Sequence, residues 1–91
     1  MAGIRDNQDA ARFEMDTDWG LATLAYHHTP EAISLDHAEV PPDARGRGVA
    51  SAFVRGVLDM LRAENRRVIP RCGYVRHIIR SHPGYAQLTR S

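Results

Sequence analysis

Two adjacent prolines, Pro41 and Pro42, divide the chain into a stretch that alternates with a two-residue period and a stretch that repeats at helical spacing. Neither proline can donate to a sheet ladder, so the strand leading up to them must stop and a loop must follow, running through Asp43 and the Arg45-Gly46-Arg47-Gly48 segment. Upstream, residues 11–16 alternate small or apolar side chains with charged ones, the pattern of a half-buried strand. Asp18-Trp19-Gly20 reads as a turn, residues 21–27 as a second strand ended by Thr29-Pro30-Glu31, and residues 32–40 as a third. A regular pleat would put Ile33, Leu35, His37 and Glu39 on one face of that third strand. Short connections join the three strands and predict an antiparallel meander.

Downstream of the prolines, Val49, Phe53, Val57 and Met60 or Leu61 fall on one stripe, which predicts a long helix over residues 49–65. Arg62, Arg66 and Arg67 crowd its C-terminal end, where exposed carbonyls favour positive charge. Val68-Ile69-Pro70 is a short apolar run suited to a buried strand. Residues 74–80 carry Val75, Ile78 and Ile79 at helical spacing, a short second helix before the turn signal Ser81-His82-Pro83-Gly84. The fold class expected is α+β: a meander of three strands, a central helix, a further strand and a short C-terminal helix.

Ninety-one residues suffice for one domain, expected to span residues 1–91, and 43% apolar with 25% charged residues is an ordinary folded composition. No apolar run approaches the roughly 20 residues that cross a bilayer, and the first residues are polar, so no membrane partner and a cytoplasmic location are expected. The single cysteine, Cys72, excludes an internal disulfide and a thiolate metal cluster within one chain. His27, His28, His37, His77 and His82 form no pair with ligand spacing, and the adjacent His27 and His28 point to opposite strand faces, so no metal site is expected. All 12 basic residues are arginines, which rules out a lysine nucleophile. Charge is unevenly spread: residues 1–44 carry two arginines against nine acids (−7), residues 45–91 ten against two (+8), and the halves sum to the net +1. A basic half suits a phosphorylated ligand or nucleic acid, and an acidic half suits an amine.

The glycines after the third strand have a physical use. Gly46 and Gly48 permit backbone angles closed to other residues and let the main chain approach a bulky anion. The first turn of the following helix leaves unpaired N–H groups and a partial positive charge, and Arg45 and Arg47 add to it. A nucleoside-triphosphatase phosphate loop needs a lysine that this chain lacks, and the dinucleotide pattern needs a third glycine where Ser51 stands.

The spacing of Arg45, Gly48 and Ala50 resembles the signature of the GNAT superfamily of N-acetyltransferases, Arg or Gln, two residues, Gly, one residue, Gly or Ala. The likeness runs on through His37-Ala38-Glu39-Val40-Pro41, Val68-Ile69-Pro70-Arg71-Cys72 and His82-Pro83-Gly84-Tyr85, which together look like the short cysteine-containing branch of that superfamily. Ala38 stands where that branch usually has Thr, and Gly84 where an acid is frequent. The resemblance implies a minimal GNAT-like fold and acetyl-CoA as cosubstrate. It implies a cofactor grip made of Val40, Arg45, Gly46, Arg47, Gly48, Val49 and Ala50 with Cys72 beside it. It also implies that the helices which cover the acceptor in larger relatives are missing, leaving the acceptor side open or completed by a second subunit, as in a homodimer, or by the acceptor itself.

Acetyl transfer needs a base to take the amine proton and an acid for the departing thiolate. Glu39, at the strand position where the superfamily carries a basic glutamate, is the first candidate base, and His37 the second. Tyr74 and Tyr85 are candidates to protonate the thiolate. Cys72, at a helix start beside Arg71, is a candidate acyl-accepting nucleophile or a lining residue of the thioester pocket; direct attack by the amine is the simpler route. Three functions follow: an acetyl-CoA-dependent N-acetyltransferase acting on a small-molecule or protein amine, a CoA-binding module with little or no turnover, and a nucleic-acid binder using residues 66–80. The last is disfavoured because only Tyr74 is available there for stacking.

Overall fold

A computed structural model describes residues 3–89. Its strands are β1 (Ile4–Asn7), β2 (Arg12–Thr17), β3 (Gly20–His28), β4 (Ile33–Glu39) and β5 (Val68–Pro70); its helices are α1 (Val49–Ala63) and α2 (Gly73–Ser81). Short 3-10 turns cover Pro42–Ala44 and Pro83–Thr89. The strands form one sheet in the order β1-β2-β3-β4-β5, the first four antiparallel and β5 parallel to β4. The α+β class expected from the sequence is what the chain adopts, with the meander longer by one strand at its start. β1 was not foreseen because among its four residues only Ile4 is apolar. It is held by pairing with β2 and by Ile4 against α1, where a Cβ on Gly56 would collide with the Ile4 side chain.

One face of the sheet and the two helices enclose the core. Phe13 and Met15 of β2, Ala22, Leu24 and Tyr26 of β3, and Ile33 and Leu35 of β4 meet Phe53, Val54, Val57, Leu58 and Leu61 of α1. Val75 and Ile78 of α2 close it, with Tyr85 and Leu88 from the last turn. Each Val, Leu, Ile, Phe or Met side chain so removed from water contributes about 1.5–3 kcal/mol before entropy is counted.

The pleat of β4 is not regular. Ala25 pairs with His37 and Tyr26 with Leu35, so Asp36 is an extra residue with no partner across the ladder, a β-bulge. An inserted residue reverses the alternation beyond it. Ile33 and Leu35 are buried in the core, whereas His37 and Glu39 leave their face and stand exposed, and Ala38 packs against the core in their place. The expectation that all four would share a face is therefore corrected. Asp36 is held by Ser34 Oγ at 2.6 Å and by His27 Nδ1 at 2.7 Å. Burial pushes its carboxyl upward, but the Ser34 hydroxyl and His27 outweigh it and leave the group more acidic than an ordinary aspartate.

β5 pairs only with Ile33, Ser34 and Leu35, and the Leu35 carbonyl accepts from both Arg71 N and Cys72 N as the chain turns into α2. Beyond that point β4 runs on toward Glu39 without β5 beside it, and the sheet opens. Among the described residues, no helix is long and apolar enough to cross a membrane.

Candidate active site at the glycine loop

The loop between β4 and α1 takes its shape from its residue types. Pro41 ends the ladder, the short 3-10 turn follows, and Gly46 and Gly48 adopt φ of 77° and 78°. That left-handed region is costly for a residue with a Cβ. Gly48 caps α1 with no side-chain hydrogen bond, and the first turn of the helix holds no acid. Among the described residues, the amides of Gly46, Gly48, Val49, Ala50 and Ser51 meet no carbonyl or side-chain acceptor. The space in front of both glycines is open, since a Cβ built on either would have nothing within 4 Å. Free N–H groups at the positive end of a 15-residue helix, next to two glycines whose Cβ positions are open, are the local chemistry that accepts a phosphate.

Where β4 and β5 part, a cleft of about 530 Å³ is lined by His37, Ala38, Glu39, Val40, Pro42, Arg45, Ala50 and Tyr74. The fold thus brings six of the candidate site residues to one place, from β4, the loop after it, α1 and α2. His37 Nε2 lies 3.0 Å from Glu39 Oε1, with both side chains about two-thirds exposed. Tyr74, on the first turn of α2, forms another wall of the cleft. Arg45 reaches it from the loop, while Arg47 turns the other way: its Nε donates to the Asp43 carbonyl at 2.8 Å and its guanidinium lies 4.8 Å from the Trp19 ring centroid.

Cys72 and Tyr85 sit elsewhere. Cys72 is the N-cap of α2, half-buried, with its amide bonded to Leu35 O, its carbonyl accepting from Arg76 N and its side chain packed on the core. It does not line the cleft that holds His37, Glu39 and Tyr74. Tyr85 is buried with its hydroxyl donating to Asp59 Oδ1 at 2.8 Å and Arg62 stacked on its ring, which makes it a tie between α1 and the last turn. Among the described residues, no group of three or more His, Cys, Asp or Glu side chains is arranged to hold a metal ion. Pro42, which the sequence marks as a loop residue, and Ala38, which it marks as a departure from the branch's pattern, also line the cleft, and Trp19, part of a turn in the sequence, touches the loop; nothing in the sequence relates it to Arg47.

The sheet order, the parallel fifth strand and the loop at the head of the central helix define an acetyltransferase-type fold. The solution NMR structure of a GCN5-like protein from Staphylococcus aureus matches it with a TM-score of 0.70, covering 96% of this chain and 86% of that one at 22% identity, a likeness of fold. The family model described as GCN5-related N-acetyl-transferase matches residues 12–88, and the chain belongs to that family. Among curated relatives, Protein NATD1 of Bos taurus is 33% identical over 63 residues, and its Homo sapiens counterpart 32% over 63. Each alignment takes in 68% of this chain and 56% of the relative, so the chain spans little more than half the length of the curated relatives it matches.

Proposed function

We propose that this chain is an acetyl-CoA-dependent N-acetyltransferase in which the loop of residues 45–50 grips the diphosphate and the β4 edge with α2 forms the reaction cleft. The observation that carries the reading is the row of unpartnered amides behind two left-handed glycines with open space before them. Arg45, Gly46, Gly48, Val49 and Ala50 would hold the diphosphate, and Val40 the chain beyond it along the strand edge that β5 leaves free. The cosubstrate supplies a thioester, an acyl group already activated toward an amine. The amine nitrogen bonds to the acetyl carbon, its proton passes to a base, and the carbon–sulfur bond breaks with the thiolate taking a proton.

Glu39 and His37 serve as a pair. With a proton on His37 Nε2 donated to Glu39, the Nδ1 lone pair accepts the amine proton and Glu39 stabilises the resulting imidazolium. Tyr74, across the cleft, is the acid for the thiolate. Cys72 lies outside the lining residues, which favours direct attack over an acyl-cysteine. The turn between β1 and β2 is only residues 8–11, too short for a helical cover at that side, so a protruding amine on a polyamine or a protein fits better than an enclosed metabolite.

Titration calorimetry with acetyl-CoA, followed by a thiol-release assay over a panel of amines, tests this. Binding with release is expected. Binding without release over the whole panel supports a CoA-binding module instead, and no binding defeats both.

A further inference from the structure

The loop has a second flank, facing the β2–β3 hairpin. Trp19 at the hairpin tip keeps 37% of its surface exposed although it is the largest side chain in the protein. Its ring carries the Arg47 guanidinium, which is also anchored through Nε to the Asp43 carbonyl. The tip is shaped for this: Thr17 Oγ1 donates to Gly20 O at 2.6 Å and accepts from Trp19 N at 3.1 Å. Gly20, with φ of 125°, lies so close to Pro41 that a Cβ there would sit 3.2 Å from the proline Cγ. Behind the loop a pocket of about 460 Å³ is bounded by Met15 and Trp19 on the hairpin side and by Arg47, Gly48 and Val49 on the other.

We propose that Trp19 is a positioning residue for the phosphate loop: by clasping Arg47 against the hairpin it holds residues 46–48 in the conformation that leaves the Gly46 and Gly48 amides free, and leaves Arg45 as the arginine that meets the diphosphate. The proposal rests on the cofactor site proposed above. Its physical need comes from the glycines themselves. Two residues without Cβ atoms make the loop the most freely rotating part of the connection. Amides converge on an anion only when that freedom is removed in advance. Helix α1 fixes the loop at Val49, and the proline pair with the buried Ala44 fixes its start; between Arg45 and Gly48 the hairpin clasps the Arg47 side chain. The contact also explains why a tryptophan is left in solvent at a hairpin tip.

Trp19 is the only tryptophan, so its selectively excited fluorescence reports on the surroundings of this one ring, the Arg47 contact among them. Arg47→Ala is expected to change the emission of Trp19 with no ligand present. Trp19→Ala is expected to speed amide hydrogen exchange at residues 46–50 and to raise the Kd for acetyl-CoA about two- to fivefold, the worth of one exposed cation–π contact. Saturated turnover should be unchanged, and Trp19→Phe should recover most of the affinity because a smaller aromatic face remains. Wild-type exchange and affinity in Trp19→Ala, or a Phe variant no better than Ala, would overturn the proposal. If the unaltered protein bound no acetyl-CoA, the cofactor reading would fail, while emission and exchange would still decide whether Trp19 orders the loop.

Discussion

Glu14 sits on the solvent face of the sheet, yet only 4% of it is exposed because charged neighbours close over it. Arg12 Nε donates to it at 2.6 Å, Asn7 Nδ2 at 3.0 Å and Arg5 Nε at 2.9 Å. The Arg12 guanidinium foremost, then the Asn7 amide, hold its carboxyl down at about 2 against the upward push of burial. A carboxyl more acidic when folded than when unfolded stabilises the fold above the ordinary glutamate range, and loses that contribution as pH falls through about 2. Glu14→Gln is therefore expected to melt below the wild type at pH 7, with the gap closing between pH 4.5 and about 2; thermal melts across that range measure it. The cleft makes a different demand on its carboxylate. Glu39 is exposed and bonded to one imidazole, so Glu39→Gln or His37→Gln should leave the fold and acetyl-CoA affinity intact. His37→Gln should lower kcat by about 10²- to 10⁴-fold, the usual worth of a positioned base, and Glu39→Gln should lower it by weakening that base. Steady-state kinetics on both variants, compared with the double variant, shows whether the two residues act as one unit.

At the level of elements, α1 was legible in the sequence and β1 was not, and the difference is the length over which a pattern repeats. Fifteen residues with Phe53, Val57 and Leu61 on one stripe declare a helix; four residues with one apolar side chain declare nothing. The bulge in β4 was equally hidden, because a single inserted residue leaves composition and local propensity unchanged and shows only when β3 lies alongside. The last segment is another case: a turn over Ser81-His82-Pro83-Gly84 is expected, whereas α2 runs to Ser81 and Pro83–Thr89 forms a 3-10 turn that inserts Tyr85 and Leu88 into the core. Tyr85 then works between elements, through Asp59 and Arg62 of α1. Tyr85→Phe keeps the ring and removes the hydroxyl, leaving Asp59 its bond from Arg62. A loss of about 0.5–1.5 kcal/mol in denaturant unfolding is expected, with acetyl transfer unchanged. Lost activity at unchanged stability would instead place Tyr85 in the reaction.

For the whole molecule, a ligand that binds only the folded state adds its binding energy to stability. Acetyl-CoA at a hundred times its Kd should stabilise the fold by about 2.7 kcal/mol. For a chain of this size that is a rise in Tm on the order of 10 °C or more. Gly48→Val should fold but lose that rise, since a β-branched residue cannot easily hold a φ of 78° and its methyls would occupy the space an anion needs. Differential scanning fluorimetry of both proteins with and without ligand measures this, and an equal rise in the two would move the ligand away from the loop. The period change at the prolines, the glycine pair and the helix stripe are local, since each depends on what one residue permits its own backbone to do. The sequence alone therefore determined the α+β class, the loop and the helix behind it. Which residues of β4 face the cleft, where Cys72 and Tyr85 stand, and what holds Arg47 depend on strands and loops far apart in the chain coming into register. Only the tertiary structure decided those, because packing partners distant in sequence leave no periodic trace in it.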